Sequence, residues 1–163
     1  MLTAERLREL LHYDPSTGIF TWRVRRCGRA LVGATAGSLN ADGYVHIRVD
    51  GGRYKAHRLA VLYMTGEWPV RDVDHENLCR SDNRWNNLRR ATRSQNCANS
   101  RRPRNNTSGF KGVSWHGAGK AWVARVMVKG ESRYLGLFDT PEAAHAAYSA
   151  AAMEAHGSFS RAA

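Results

Sequence analysis

Val73-Asp74-His75, Asp82-Asn83-Arg84, Asn86-Asn87-Leu88-Arg89 and Thr92-Arg93-Ser94-Gln95-Asn96 are the stretches on which the reading of this sequence turns. Val73 leads into a strand end that presents Asp74 and His75 side by side. A second strand is expected around Leu88 to Ala91. Thr92 and Gln95 stand at capping-box spacing, which predicts a helix start with Asn96 in its first turn. Two strands followed by a helix can bring Asp74 and Asn96 to one metal ion. Both offer hard oxygen donors of the kind Mg²⁺ or Mn²⁺ takes, with waters and substrate oxygens filling the remaining positions. Hydrolysis of a phosphodiester needs a base to activate water and positive charge for the phosphorane and the leaving oxygen. His75 is placed to be that base. The amide of Asn87 can either hydrogen-bond the imidazole or pin the loop. Arg89, Arg90 and Arg93 are close enough in sequence to hold a scissile strand.

The surroundings agree with a polyanionic partner. The 163 residues carry a formal net charge of +11, with a pI near 10.3. Excess cationic charge gains affinity for phosphate backbones by releasing counterions. Between Arg80 and Arg104 there are eight arginines against one acidic residue, Asp82. A basic RNA-binding protein of ribosomal type would fit this charge but would leave the Asp-His-Asn spacing unexplained. Cys27, Cys79 and Cys97 are odd in number and form no Cys-x-x-Cys pair. They are expected to be free thiols in a reducing cytoplasm, not a disulfide framework or a zinc site. The N-terminus has no long apolar stretch of the signal-peptide or membrane-spanning kind.

Working outward, Thr3 is a candidate N-cap for a short helix whose stripe is Leu7, Leu10 and Leu11. Tyr13 to Gly18 reads as a turn and Ile19 to Trp22 as a strand. Arg23 to Asn40 has no clear pattern. Tyr44 to Val49 alternates as a strand, Asp50-Gly51-Gly52 supplies a hairpin turn, and Arg53 to Ala56 returns. A helix follows from about His57 to Met64. Ser100 to Ser108 lacks apolar periodicity and reads as a linker. Beyond it, strands are expected over Lys111–Trp115, Trp122–Lys129 and Ser132–Phe138. An alanine-rich helix then starts at the Thr140 cap with Pro141 in first position and stops at Gly157.

The segment from Tyr54 to Asn99 resembles the HNH nuclease family in its phage homing-endonuclease branch. The matching pieces are Lys55-Ala56-His57-Arg58-Leu59, Val73-Asp74-His75, Asp82-Asn83-Arg84, Asn87-Leu88-Arg89, and Ala91-Thr92 with Asn96. The resemblance implies a ββα-metal fold of His-Me finger type with one divalent cation per active site. It implies His75 as general base, Asn87 as the middle Asn, and Asp74 and Asn96 on the metal, Asn96 replacing the final His. Glu76-Asn77-Leu78-Cys79 departs from the short Asn/Asp-Gly turn more usual in the family. His57 is assigned a structural or phosphate-contacting role, and Asn83 and Asn86 are read as turn formers.

From Thr107 to Phe159 the chain resembles the plant ethylene-response-factor (Apetala-type) DNA-binding domain. The residues are Gly109 to Trp115, Lys120 to Val126, Tyr134 to Thr140, and Ala143-Ala144 with Ala147-Tyr148. That resemblance implies a three-stranded antiparallel sheet in the major groove with one helix on its back. Strand alternation sends Ala124, Val126 and Val128 toward the helix and Val123, Arg125 and Met127 outward. Trp115, Arg125, Arg133 and Tyr134 are candidate DNA contacts, with Lys111 and Lys120 on phosphates. Arg58, Arg84, Arg101 and Arg102 complete the expected DNA-binding set.

The expectation is therefore an α+β chain. Residues 1–53 form a β-rich extension, 54–99 the nuclease core, 100–106 a linker and 107–163 the Apetala-type domain. The expected activity is metal-dependent, site-preferring cleavage of double-stranded DNA in a phage-infected or bacterial cytoplasm, one nick per binding event, with no membrane partner and either a monomer or a dimer. The alternative is a non-catalytic DNA-binding protein or regulator.

Overall fold

A computed structural model describes residues 1–26 and 31–161, so Cys27 lies outside the described residues. The chain forms two compact units, Met1–Arg90 and Ala91–Ala163.

In the first unit, helix α1 (Ala4–Leu10) begins where the Thr3 hydroxyl accepts the Arg6 N–H at 3.2 Å. Strand β1 (Leu11–Asp14) follows without a break and pairs antiparallel with β2 (Ile19–Trp22). Leu11 and Tyr13 therefore belong to a strand and not to the helix stripe or the turn expected for them. Their period-two alternation with exposed His12 buries both. Strands β3 (Ser38–Leu39), β4 (Val45–Val49) and β5 (Gly52–Lys55) make a second antiparallel sheet in that order. The β4–β5 turn places Asp50 and Gly51 at φ 45° and 80°, the left-handed pair of a tight hairpin. Helix α2 (Ala56–Thr65) ends at Gly66, which takes φ 81° as its C-cap. Leu7, Leu11, Phe20, Ile47, Leu59 and Leu62 form the centre of one apolar core. Each buried side chain of this size contributes roughly 1.5–3 kcal/mol. On this core's far side in sequence, β6 (Asp72–His75) and β7 (Leu88–Ala91) form a two-stranded sheet, with a 3₁₀ turn at Trp85–Asn87 just before β7.

The second unit opens with α3 (Arg93–Ala98), and the capping box predicted from Thr92 and Gln95 is present in both directions. Strands β8 (Val113–His116), β9 (Ala121–Val128) and β10 (Glu131–Phe138) form an antiparallel sheet with β9 central. Helix α4 (Pro141–His156) is capped by Thr140 and stopped at Gly157. Its small residues Ala144 and Ala152 flank Tyr148 against Val113, Ala124 and Val126, forming this unit's core. Val123 is buried instead of facing outward, although its cross-strand partners are Ser114 and Leu137 on the face away from that core. A β-bulge between Tyr134 and Gly136 lets Leu135 pack onto the helix side.

The segment expected to be a linker, 100–106, lies inside the second unit. Lys111 explains why. Its ammonium is buried and donates to the carbonyls of Ala98 and Ser100, and the Arg102 guanidinium donates to the Gly109 carbonyl.

Gly112 carries φ +73°, and a Cβ there would come within 2.0 Å of the Tyr148 ring. Gly112→Ala is expected to destabilise the second unit by at least about 2 kcal/mol, through overpacking plus left-handed strain. Urea denaturation with a probe of Trp115 and Trp122 fluorescence would show it; an unchanged midpoint would contradict the packing described.

Candidate active site

Strand β6, paired with β7, carries Asp74 and His75 at its end, both about 4 % exposed. The Arg89 guanidinium, on β7, donates through Nε to Asp74 Oδ2 at 2.9 Å, and its Nη1 lies 3.9 Å from Glu76. The guanidinium gives this buried carboxylate a charge-assisted hydrogen bond.

The chain leaves His75 through a tight turn closed by the Leu78 N–H on the His75 carbonyl at 2.9 Å. Leu78 occupies the left-handed region at φ 62°. This is where the Glu76-Asn77-Leu78-Cys79 departure takes effect: a leucine holds a conformation that glycine or asparagine adopts at less cost, about 1 kcal/mol. Side-chain bonds hold the turn in place. Asn77 Oδ1 accepts the Cys79 N–H, and Asn77 Nδ2 donates to Asp82 Oδ2. Asn87 accepts the Asn77 N–H at 3.0 Å and donates to the Asp82 carbonyl at 2.7 Å. Of the two roles open to Asn87, the geometry shows loop pinning.

The residue that touches the imidazole is Asn83, read from sequence as a turn former. Its Oδ1 is 3.3 Å from His75 Nε2. Asn83 is itself buried, and the signal that could have singled it out was its place in the Asp82-Asn83-Arg84 piece of the family match. Asp82 is held well below the usual carboxylate range, to about 2, first by its hydrogen bond with Arg84. Arg84 therefore has its guanidinium on Asp82 at 2.6 Å as well as half its side chain in solvent.

Three rings meet at the site. His57 stands edge-on to His75 with centroids 4.9 Å apart, and Tyr44 lies 5.2 Å from His57 and 5.9 Å from His75. The Lys55 ammonium sits 4.0 Å over the Tyr44 ring and the Arg80 guanidinium 5.1 Å from it, an arrangement worth roughly 0.5–1 kcal/mol per exposed pair. Arg80 also donates to the Asp42 carbonyl at 2.8 Å. Neither Lys55 nor Arg80 was among the expected DNA contacts. Burial is the main cause that pushes the His75 imidazole below its ordinary proton affinity, with the Asn83 bond and Asp74 acting in the opposite direction. The ring is therefore neutral at neutral pH, as a general base requires.

The first unit thus brings together Asp74, His75, Asn87, Arg84 and Arg89. Arg58 donates to the Pro69 carbonyl at 3.0 Å, a bond that ties α2 to the chain beyond its end. Arg90 is exposed. Asn96 and exposed Arg93 lie on α3 and belong to the second unit. Among the described residues, no three of His, Cys, Asp and Glu gather into a metal-holding group. The donor chemistry nevertheless fits a hard divalent ion, because Asp74 offers carboxylate oxygens at a strand end beside the His75 imidazole.

Of the contacts expected on the second unit, Arg101, Arg102, Lys120, Arg125, Arg133, Trp115 and Tyr134 are exposed. Lys111 is not: its ammonium serves two backbone carbonyls, and the expectation of a phosphate contact is corrected accordingly. Pairing separates the others. Tyr134 is opposite Arg125, on the face away from α4, whereas Trp115 is opposite Trp122 and Arg133 opposite Val126, on the register of the helix-packed face.

Residues 54–98, well under half of the chain, match the family model described as HNH endonuclease, and this match supports a DNA-cleaving hydrolase. A solved structure described as DNA binding and cleavage by the HNH homing endonuclease I-HmuI is similar at 24 % identity and a TM-score of 0.42, over 55 % of this chain and 51 % of that one. The chain thus spans about half the length of that protein. None of the curated proteins matches the sequence. No helix among the described residues is long and apolar enough to cross a membrane.

His57 offers a pH test of this architecture. Burial lowers its pKa from 6.5 to about 3. The unfolded chain takes up that proton below about pH 6.5 while the folded chain does not, so His57 stabilises nothing on acidification and stability is lost as pH falls from 6.5 toward 3. The loss is roughly 1.4 kcal/mol per pH unit. Between pH 7 and pH 5, denaturation of His57→Phe should therefore show roughly 2 kcal/mol less loss than the parent protein. Equal losses in the two proteins would mean that His57 is not buried as described.

Proposed function

We propose that this protein is a metal-dependent, site-preferring DNA endonuclease of homing type that nicks one strand per binding event. The observation that carries the reading is the pair Asp74 and His75, buried side by side at the end of β6 inside the segment matching an HNH endonuclease. HNH nucleases generally use a divalent metal. Asp74, with Asn96 as its partner, would hold one Mg²⁺ or Mn²⁺ ion. When bound, such an ion supplies positive charge to the phosphorane and the departing oxygen. His75 takes the proton of the attacking water, and Asn87 keeps the turn beyond it fixed. Arg84, Arg89, Arg90 and Arg93 supply cationic charge along the scissile strand, as Arg58, Arg101 and Arg102 do on the approaches.

The second unit is read as an Apetala-type DNA-binding domain over residues 107–163, reached through residues 100–106. In this reading the nuclease core is the ββα-metal arrangement over 54–99, preceded by a β-rich extension, 1–53. The three-stranded sheet with α4 on one face supports the reading, and Arg125 and Tyr134 are the pair best placed to enter a major groove, with Lys120 on phosphate. Trp115 and Arg133 would contact DNA from the sheet's rim. The protein is taken to act on double-stranded DNA in a bacterial cytoplasm, as a monomer or a dimer.

Supercoiled plasmid incubated with Mg²⁺ or Mn²⁺ tests the activity. Open circles are expected from the parent protein, and loss of nicking by a factor of at least about 100 is expected in His75→Ala with DNA binding retained. Chelation with EDTA should abolish cleavage. Tight binding without cleavage, on DNA of the native context and with either metal, would instead favour a DNA-binding regulator.

A further inference from the structure

We infer that Asn83 is a positioning residue that fixes the tautomer and orientation of His75, and that the β1–β2 hairpin is the brace holding Asn83 in place. The inference rests on the nuclease reading only for its catalytic consequence; the tautomer itself is a property of the protein without DNA.

The amide of Asn83 has one orientation. Its Nδ2 donates to the Ser81 carbonyl at 3.0 Å, so its Oδ1 is the atom facing His75 Nε2. Turning the amide over would set two acceptors against each other at Ser81. An amide oxygen has no hydrogen to give, so the proton of this bond is carried by His75 Nε2. The lone pair of the neutral ring then lies on Nδ1, and that nitrogen is the base. An imidazole without such a partner exchanges its proton between the two nitrogens, and only one of the two forms presents the right atom to water.

Asn83 is in turn held from behind, by residues far away in sequence. The Tyr13 hydroxyl donates to the Asn83 carbonyl at 2.6 Å, and both groups are buried. The Trp85 N–H donates to the Pro15 carbonyl at 2.9 Å. Between these bonds lies Gly18, at φ +74°, where a Cβ would come within 2.4 Å of Arg84 N and of Asn83 C. The turn of the hairpin therefore lies directly on the Asn83–Arg84 peptide, and only glycine lets it do so. Burial of Tyr13 raises its phenol well above the ordinary range, so the hydroxyl stays a donor across the whole working pH range.

The test uses the full chain with ¹⁵N-labelled histidine. His75 is assigned by its loss in His75→Ala, and the imidazole nitrogen shifts report the tautomer. The parent protein is expected to show His75 wholly in the Nε2–H form. Asn83→Ala should give a mixture of both tautomers and lower the kcat of plasmid nicking by about 10- to 100-fold, the usual cost of losing a group that orients a site residue. Metal-free DNA affinity should change by less than about twofold. Tyr13→Phe, which removes one oxygen and leaves the ring packed, should show the same defect in smaller measure, and it serves if Asn83→Ala fails to fold. A pure Nε2–H form with parental kcat in Asn83→Ala would overturn the positioning role. The same result in Tyr13→Phe would overturn the brace. If the parent protein itself does not nick DNA, the nuclease reading fails while the tautomer measurement still decides this one.

Discussion

A neutral imidazole buried at the end of a strand is the constraint around which the first unit is organised. Burial keeps His75 uncharged, but it also removes the water that would otherwise satisfy both ring nitrogens. The protein must then supply every partner from its own loops. That requirement explains the density of short polar bonds between Glu76 and Asn87, where Asn77, Asp82, Asn83 and Asn87 satisfy one another and the backbone. It also explains why elements distant in sequence, the β1–β2 hairpin and the rings of Tyr44 and His57, close on the same point. The apolar core beneath, from Leu7 to Leu62, is what makes the hairpin rigid enough to serve as a support.

The second unit solves a different problem. A sheet of three strands has little apolar surface to offer, and α4 meets it with buried Ala144 and Ala152 on either side of Tyr148, the largest of the buried groups in this core among the described residues. Close approach compensates for small side chains because dispersion contacts grow steeply as the gap closes. Gly112 is the cost on the sheet side, since the space it vacates is the one the Tyr148 ring fills.

Much of this was readable in the sequence wherever a local rule governs the outcome. The capping box at Thr92 and Gln95, the Thr140 cap with Pro141, the Gly157 stop and the Asp50-Gly51 turn are each decided within four or five residues, and each appears where its residues placed it. The Asp74-His75 pair stood out only through the whole string around it, from Val73 to Asn96, since an Asp-His dipeptide by itself is an ordinary surface pair; the structure shows both side chains buried at the strand end. What escaped was set by tertiary contact. Leu11 and Tyr13 suit a helix stripe as well as a strand, and only the pairing with β2 decides between them. Asn83 has turn chemistry in its sequence context, and nothing local announces that its amide reaches a histidine eight positions back. Lys111 looked like a surface cation because lysine is one almost everywhere; here two carbonyls replace its water. Val123 followed the pleat in pattern but not in burial, since alternation fixes a direction and not what lies there.

The way Lys111 ties the chain together bears on how such proteins can be recombined. The stretch that aligns with an HNH endonuclease ends at residue 98, and the composition changes just after it, which makes 100–106 the natural place to cut and rejoin when exchanging modules. The folding boundary is elsewhere, between Arg90 and Ala91. A crossover inside 100–106 would hand α3 to one parent and its Lys111 anchor to the other, so the foreign partner would need a cation of the same reach at the same place to accept it. Module exchange in proteins built this way is limited by a single lysine on the far side of the seam.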